Sequence, residues 1–532
     1  MKLNLQRIAS FVCTLRALAA SVSFGGQWMH LVLLVLGGAL TLPAGVVSGV
    51  ALEWASGKPL SRTIVHLQPV PGSGRQLKPL QTRSGRSGQF QFVSVPDGLY
   101  LLETQREGFL PAAYGQRRPT SYGTPIMVSK DSALFAELRL HRMGSLTGTV
   151  QDENNVGMPR VNVVAYRAQL PLRIAGRGIA DDRGIYRISG LSLGKYWVRT
   201  VPYTLDDGTG LLPVFGPEAR EPRDAQAHEV RFDNDTTDAN VRPEPGSLST
   251  LSGVVACDRG PGTPVVVTLS SEFSRQTTQG TCAGAYTFGG LAPAMYEVFA
   301  NYVDGAGSGF AERFIGQNTQ MPMQIVSTDT VNFSVRNAMT RAPLRIPVSL
   351  LGRRDDLSGA EPEREVPLQM ARLSAGYWEF MATVGAGYYV SSIRSESNEI
   401  NRSRRPARPF EWFGVYLEPF RSGDRININV SDRAAQLSGV VRQEGKPVPG
   451  IPVFLWPIKD EIRRMLGGPR QMLADFEGRF HFTGLPPGDY RLLATMDIRE
   501  MNGDVAEESR AKFIQLSESQ TAEGELAVWL AP

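Results

Sequence analysis

Few residues of this chain are spaced in a way that could support catalysis. A zinc site needs three or four clustered nitrogen, sulfur or oxygen ligands. The five histidines lie far apart, at His30, His66, His141, His228 and His481. The sequence also contains no Gly-x-Ser-x-Gly nucleophile motif, no phosphate-binding loop and no dinucleotide fingerprint. These patterns predict a protein that is not an enzyme and that has no cofactor and no metal.

One acidic segment, DNDTTD at 233–238, offers oxygen atoms at a spacing that could partly chelate calcium. It lacks the glycine and the closing glutamate of a helix-loop-helix calcium site. The alternative is a polar hairpin between two strands, because Asp and Asn side chains favour tight turns. We expect the hairpin.

Aromatic and basic residues give the clearest indication of a binding site. The segment NRSRRPARPFEWFGVYLEPF at 401–420 places arginines ahead of several rings. Exposed rings can stack on sugars, and arginine adds hydrogen bonds or cation–π contacts. Neighbouring strand residues point to opposite faces, so one of two adjacent rings is expected to be exposed. The candidate ligand-binding residues are Trp412, Phe413, Tyr416, Arg404 and Arg405. The alternative is that these rings fill a core.

A second candidate is the segment AYGQRRPTSYG at 113–123, which contains Tyr114 and Tyr122. Binding residues often lie on loops held by a rigid scaffold, although an ordinary connecting loop is the alternative. The expected partner is a polysaccharide or another protein. Nucleic acid is not expected, because a net charge of +4 is small for 532 residues.

The elements that must position these residues occur five times. A phrase of Gly-x-aromatic-x-apolar, a turn and Tyr-x-apolar recurs at intervals of 92 to 102 residues. Its copies begin at Gly88, Gly184, Gly284, Gly376 and Gly478. An opening phrase such as LSGVVRQEGKPVPGIPVFLW at 437–456 precedes most copies. A fixed period close to the size of one small domain is typical of a tandem array.

The pattern inside each copy favours β-strands. Short runs rich in Val, Ile and aromatic residues alternate along the chain and are separated by turns such as P-D-G and P-P-G. About seven strands per copy predict an all-β tandem array of seven-stranded, prealbumin- or Ig-like sandwiches. A short helix is predicted at 459–468. The predicted divisions are a targeting segment at 1–45, followed by module 1 at 46–142, module 2 at 143–246, module 3 at 247–340, module 4 at 341–434 and module 5 at 435–532.

The paired phrases resemble the carboxypeptidase regulatory-like domain, a transthyretin-like sandwich with a carbohydrate-binding-like fold found in bacterial envelope proteins. The resemblance covers 46–532 and is strongest in modules 1, 2 and 5. Module 3 has Ala294 in place of the turn glycine, and module 4 needs an insertion near Val384. The resemblance implies this fold and export, but a shared fold implies no ligand. The catalytic partner of the family uses an H-x-x-E zinc motif, which this sequence lacks.

The N-terminus also indicates export. Lys2, Arg7 and Arg16 precede an apolar run whose centre is 31–42. Such a run is typical of a signal peptide that ends near 42–44, or of an uncleaved membrane anchor. The predicted location is the periplasm, the cell surface or the medium, with this segment as the one expected membrane contact.

Two covalent cross-links can be considered for an exported chain. Cys257 and Cys282 are candidates for a disulfide, with two separate buried thiols as the alternative. A Lys–Asn isopeptide bond, as in surface adhesins with similar sandwiches, is not expected. Modules 3 and 4 contain no lysine, and Lys58 and Lys446 lie in turn-like GKP segments.

The short connections between copies predict a semi-extended rod of five modules. The predicted function is that of a non-catalytic exported protein for adhesion, polysaccharide binding or envelope scaffolding. One alternative is an accessory component of a separately encoded peptidase or outer-membrane uptake system. Another is an enzyme with an unrecognised site at a module junction.

Overall fold

The structure of the protein is a computed structural model that describes residues 45–72, 77–170, 172–327, 330–396, 412–417 and 425–531. This part of the chain is all-β, as the strand alternation predicted, with two short α-helices. The predicted targeting segment lies outside it except for Gly45, the first residue of the first strand. Pro43–Pro532 form one unit. Among its described helices, none has the length and apolar character needed to cross a membrane.

Module 1 is a sandwich of two sheets. Its strands are β1 (Gly45–Glu53), β2 (Ile64–Pro69), β3 (Leu80–Arg83), β4 (Gln89–Val95), β5 (Gly98–Gln105), β6 (Ile126–Val128) and β7 (Ala133–Leu140). One sheet has the order β4-β1-β7 and the other β3-β2-β5-β6. The alternating sequence of β4 buries Phe90 and Phe92 in the core between the sheets.

Module 2 repeats the three-plus-four arrangement and adds a small third sheet. Its strands are β8 (Gly144–Thr149), β9 (Asn162–Arg167), β10 (Ile174–Ile179), β11 (Ile185–Leu191), β12 (Gly194–Thr200), β13 (Tyr203–Thr204), β14 (Gly210–Leu212), β15 (His228–Val230), β16 (Asp235–Thr236) and β17 (Glu244–Pro245). The sheet orders are β11-β8-β16, β10-β9-β12-β15 and β13-β14-β17. A 3-10 helix at Pro222–Asp224 precedes β15.

Module 3 joins its two layers into one sheet. Its strands are β18 (Ser249–Cys257), β19 (Pro264–Ser271), β20 (Ser274–Thr281), β21 (Ala285–Leu291), β22 (Ala294–Tyr302), β23 (Gly307–Ile315), β24 (Thr319–Gln320) and β25 (Met323–Ser327). The order is β20-β19-β22-β23-β25-β18-β21, and β24 pairs with β18. A disulfide joins Cys257 to Cys282, whose Cα atoms are 5.6 Å apart.

Module 4 has a different strand order. Its strands are β26 (Asn332–Asn337), β27 (Ser349–Asp356), β28 (Gly359–Ala360), β29 (Arg364–Glu365), β30 (Gly376–Thr383), β31 (Tyr389–Ser395), β32 (Phe413–Leu417) and β33 (Arg425–Ser431). One sheet is β26-β33-β31, and the other is β28-β27-β30-β32 with β29 on β27. Strand β26 precedes the predicted boundary at 340, yet it pairs with β33, and Phe333 lies in the core of module 4. The repeated phrase GYWEF forms β30 and pairs with β27 instead of an opening strand.

Module 5 consists of two separate four-stranded sheets. Its elements are β34 (Ala435–Gln443), β35 (Lys446–Pro447), β36 (Pro452–Pro457), α1 (Asp460–Leu466), β37 (Arg470–Leu473), β38 (Arg479–Leu485), β39 (Gly488–Ala494), α2 (Gly503–Glu508), β40 (Lys512–Leu516) and β41 (Thr521–Ala527). The orders are β35-β34-β38 with β41 on β34, and β37-β36-β39-β40. Helix α1 confirms the helix predicted at 459–468, and it ends at Gly467 in a left-handed conformation with φ of 71°.

In three modules the backbone conformation explains why the repeated phrase opens with glycine. Gly88, Gly184 and Gly478 have φ values of 75°, 77° and 73°. A Cβ atom on Gly88 would lie 2.5 Å from the backbone oxygen of Ala51, and one on Gly184 would lie 2.6 Å from that of Val150. Only glycine suits both the backbone angle and the close approach. Module 3 differs, because Ala283 takes the positive φ there.

Module 5 also packs against module 1, so the predicted semi-extended rod is wrong. Val70, Leu99 and Leu101 of module 1 form a buried apolar cluster against Leu473 of module 5. The N–H of Phe476 donates a hydrogen bond of 3.2 Å to the carbonyl of Pro71. Short connections restrict each hinge, but they do not prevent the two ends of the array from meeting.

Candidate functional site

The predicted sugar-stacking residue Trp412 is buried. Its exposed fraction is 5%, and the Arg353 guanidinium lies 4.3 Å from the centre of its ring. Arg353 is itself held by Glu379, with an Nε–Oε2 distance of 2.6 Å. Of the two adjacent rings Trp412 is therefore the buried one, and it belongs to the packing of module 4.

The neighbouring rings are more accessible. Phe413 is half-buried and packs at the margin of the core of module 4. Tyr416 is also half-buried and lies opposite Tyr377 of β30, with ring centres 4.7 Å apart. The predicted contributions of Arg404 and Arg405 fall on residues outside the described part of the chain. The structure thus brings Tyr377 to Tyr416, a pairing the sequence did not indicate.

The two tyrosines predicted in module 1 have different surroundings. Tyr114 is half-buried against the core of module 1. Tyr122 contacts module 5: its backbone N–H donates to the carbonyl of Met496 at 2.7 Å, and its hydroxyl accepts a hydrogen bond from Gln471. The Arg499 guanidinium lies 5.0 Å from the centre of the Tyr122 ring. Tyr122 is therefore an intramolecular contact residue.

Further ion pairs complete the contact between the two ends of the array, which we call the closing junction. It consists of Glu103, Arg117 and Tyr122 of module 1 with Gln471, Asp497 and Arg499 of module 5. Arg499 pairs with Glu103 at 3.0 Å, and Arg117 pairs with Asp497 at 3.2 Å. Except for Asp497, these charged side chains retain a quarter or more of their exposure, so water screens the pairs in part.

The junction between modules 1 and 2 uses the acidic segment at 233–238. Asp233 accepts a hydrogen bond from the Arg142 N–H at 2.7 Å and lies 2.5 Å from Nδ1 of His141. The ring of Trp54 stacks on His141, with centres 4.5 Å apart. Asp235 accepts hydrogen bonds from Ser145 at 2.5 Å and from an arginine of β11 at 2.7 Å. These carboxylates are engaged by protein donors, but the segment runs from the turn after β15 through β16, and these two strands pair with different sheets, so the predicted hairpin is wrong. Within the described ranges no group of His, Cys, Asp and Glu is arranged to hold a metal ion.

The junction between modules 2 and 3 is built around Arg199. Phe273, in the turn between β19 and β20, inserts against module 2 and contacts the rings of Phe215 and Tyr166. The Arg199 guanidinium lies 3.8 Å from the centre of the Phe273 ring. Burial lowers the pKa of Arg199 to about 10, so the side chain remains cationic at neutral pH. An aromatic turn of one module thus stacks on a buried cation of the other.

The junction between modules 3 and 4 contains the most deeply buried charges. Asp356 has no exposed surface and pairs with Arg275 of β20 at 2.5 Å. Burial alone would raise the pKa of Asp356, but the hydrogen bond from Ser358 and the charge of Arg275 lower it below the usual value. Glu297, also buried, accepts a hydrogen bond of 2.9 Å from the N–H of Leu357. Because removing one partner would leave an uncompensated buried charge, this junction resists separation.

These junction residues are not among the predicted site residues, although the sequence carries a signal for them. The run RRDD at 353–356 places four charged residues in succession on a strand, and three of them are buried. Glu297 lies between the apolar neighbours Tyr296 and Val298 and is 3% exposed. Charged residues at positions where strand alternation predicts burial are typical of an interface with another layer.

Comparison with known proteins identifies no family for this chain. No family model matches it, and no curated protein matches it. Solved structures that resemble parts of it include a minor pilin of Streptococcus agalactiae, with 14% identity, a TM-score of 0.24, and coverage of 38% of this chain and 98% of that chain. The major pilin of Corynebacterium diphtheriae has 8% identity, a TM-score of 0.17 and coverage of 53% and 98%. The major pilin subunit of Bacillus cereus has 8% identity, a TM-score of 0.15 and coverage of 91% and 98%. At these scores the similarity identifies neither a family nor a function, and the chain itself is a tandem array of β-sandwich modules.

Proposed function

We propose that the protein is a non-catalytic exported scaffold that supports adhesion to a polysaccharide or to another envelope protein. The observation that carries the proposal is the unbroken series of packed junctions. His141–Asp233 joins modules 1 and 2, Arg199 stacks on Phe273 between modules 2 and 3, and Asp356 is paired between modules 3 and 4. Helix α1 packs against β31 between modules 4 and 5, and the closing junction joins module 5 to module 1.

Packed junctions restrict the relative motion of modules, so the surface loops of different modules keep a fixed spacing. A fixed spacing allows several weak contacts to act together on one extended partner, which raises the overall affinity. This arrangement suits a polysaccharide or a large envelope protein better than a small molecule. Export rests on the N-terminal apolar run and on the resemblance to the carboxypeptidase regulatory-like domain.

Within this scaffold we assign carbohydrate contact to Tyr416 of β32, because Phe413 lies on the opposite, core-facing side of the strand. Both side chains are half-buried, and the ring of Tyr416 packs against the ring of Tyr377. A partly exposed ring held in place loses little conformational freedom when a sugar stacks on it. Trp412 is not assigned this role, because its ring is buried beneath Arg353.

The test is a glycan array that includes cell-wall and plant polysaccharides, probed with residues 45–532, because Gly45 is the first residue of β1. The Tyr416→Ala variant is compared with Tyr203→Ala, a half-buried tyrosine of module 2. We expect binding to a polysaccharide that Tyr416→Ala reduces and Tyr203→Ala retains. Trp412→Ala is unsuitable, since it would open a cavity in module 4 and confuse loss of binding with loss of folding.

Equal binding by both variants would place the sugar contact away from β32. If no glycan is bound, the partner is an envelope protein, which a pull-down from envelope extract with the wild-type chain would recover. Recovery of a peptidase or of an uptake component would support the accessory role predicted as the alternative. Measurable hydrolysis by the purified chain itself would contradict the proposal.

A further inference from the structure

Strand β20 of module 3 is a long sheet edge without the usual protection. It pairs with β19 over its whole length, from Ser274 to Thr281, without a bulge. It is the last strand of its sheet, and no described strand pairs with its outer edge. Such an edge presents a row of backbone N–H and C=O groups that can pair with another chain.

The equivalent edges of the other modules are shorter or interrupted. Strands β3 and β37 have four residues each, against eight in β20. The register of β10 shifts at a bulge, and module 4 has only the two-residue pieces β28 and β29 there. β20 contains neither proline nor lysine, the residues that most often protect an edge. The edge of β37 is already covered, since Leu473 packs against module 1.

The hydrogen-bonding phase of β20 determines which backbone groups face outward. A two-residue turn connects Ser271 to Ser274, so this pair is hydrogen-bonded and every second pair after it is also. The same alternation continues beyond the strand, where the N–H of Cys282 donates a hydrogen bond to the carbonyl of Thr263. The outward-facing backbone groups therefore belong to Arg275, Thr277, Gln279 and Thr281, whose side chains are also exposed.

We propose that β20 pairs antiparallel with β20 of a second copy of this chain, about a two-fold axis at Thr278. In this register Thr277 lies opposite Gln279 and Arg275 lies opposite Thr281, so every outward-facing residue meets another. Arg275 is the one charged residue of the strand, and it never faces itself. The contact is self-complementary, as a two-fold symmetric interface requires.

The neighbouring modules hold β20 ready for this pairing without occupying its middle. Phe273 in the turn is packed against module 2, and Arg275 is paired with Asp356 of module 4. The hairpin is thus fixed at one end. The space around Gly280 is open, because a Cβ atom built there would meet only Val265 within 4 Å, at 3.8 Å. A rigid edge loses little conformational entropy when a second strand is added.

The experiment is sedimentation equilibrium of residues 45–532 from micromolar to millimolar concentration, with amide hydrogen exchange at both extremes. We expect a monomer–dimer equilibrium in which exchange of the Thr277 and Gln279 amides slows as the dimer forms. Gln279→Lys places a charge in the interface, and Thr277→Pro removes an outward-facing N–H without disturbing the pairing to β19. Each variant should weaken the dimer at least about ten-fold, the effect of about one hydrogen bond.

The matched control is Gln515→Lys, which makes the same change in charge on an exposed position of the edge strand β40. It should leave the dissociation constant unchanged. A chain that stays monomeric at every concentration overturns the proposal, and so does a dimer that Gln279→Lys leaves intact. A dimer without protection of the Thr277 and Gln279 amides also overturns it, because the contact then lies elsewhere.

Discussion

The junction between modules 3 and 4 and the closing junction each pair a buried aspartate with an arginine, but the closing junction also has a pair whose two side chains are both reached by water. At the first, Asp356 is fully buried and the Arg275 side chain keeps 28% of its exposure. At the second, Asp497 is also buried, at 1%, but its partner Arg117 keeps 55%. The Arg499–Glu103 pair keeps 30% and 25%. Buried charges are costly to separate, whereas partly solvated pairs contribute little. The junction between modules 3 and 4 therefore depends on a buried pair, while the closing junction adds to its buried Asp497 a solvated Arg499–Glu103 pair that contributes little.

The largest expected effect is that of Asp356→Ala. The substitution leaves Arg275 and the hydroxyl of Ser358 without their buried partner, which should lower the free energy of unfolding of modules 3 and 4 by about 3–5 kcal/mol. Urea denaturation, followed by hydrogen exchange of the two modules, measures the change. The matched control is Asp206→Ala, because Asp206 forms an exposed pair with Arg160. The control should change stability by less than about 0.5 kcal/mol, and equal effects would contradict the contrast between buried and exposed pairs.

A smaller effect is expected for Arg499→Ala at the closing junction. The variant loses a partly solvated ion pair to Glu103 and a cation–π contact with Tyr122, together worth about 1 kcal/mol. The amide of Tyr122, which donates to Met496 across the junction, should exchange about five-fold faster. The amide of Leu357, which donates to Glu297 between modules 3 and 4, should exchange at its original rate. If both amides accelerate, the two junctions open together and the comparison fails.

The smallest effect is expected for acidification, which acts on the contribution of Asp356 to stability only well below neutral pH. The pKa of Asp356 is lowered in the folded protein, so its contribution to stability is present above the ordinary aspartate pKa of about 3.9. The contribution is lost as the pH falls from there through the lowered folded-state pKa. Stability of modules 3 and 4 should therefore be insensitive to this group between pH 7 and 5, and should fall below about pH 4. The wild-type chain and Asp356→Asn, compared by urea denaturation at each pH, should differ in slope only in the acidic range.

The sequence predicted the sandwiches because their signals are local. Alternation in QFQF decides which side of β4 is buried, and a glycine such as Gly88 marks a turn with positive φ. The helix at 459–468 was predicted because helix-forming residues precede a pair of glycines. Module 4 was predicted less well. The repeated phrase predicts that GYWEF is a strand. Which strand pairs with it depends on distant strands that pack against it.

The binding residues were harder to predict for a related reason. Alternation states that Trp412 and Phe413 point in opposite directions, but it does not state which direction is the core. The closing junction could not be predicted as a contact either: the tyrosines and arginines at 113–123 stand out in the sequence, but Glu103 and Arg499, which pair across the junction, are 396 residues apart. Charges within strands, such as those of β27, were the one sign of the junctions that could have been used.

The strand order of module 4 has a consequence for the nascent chain. In module 1, β1 is central, and it can pair with β4 as soon as that strand has been synthesised. In module 4 the central strand is β33, the last to be made, and both β26 and β31 pair with it. Because synthesis proceeds from the N-terminus, β31 waits without a sheet partner until residues 425–431 emerge, and until then the β26 segment has, among the described residues, only isolated bridges to Pro343 and Ala371. The synthesis of module 4 is therefore the period in which this chain is most exposed to chaperones, proteases and misassembly.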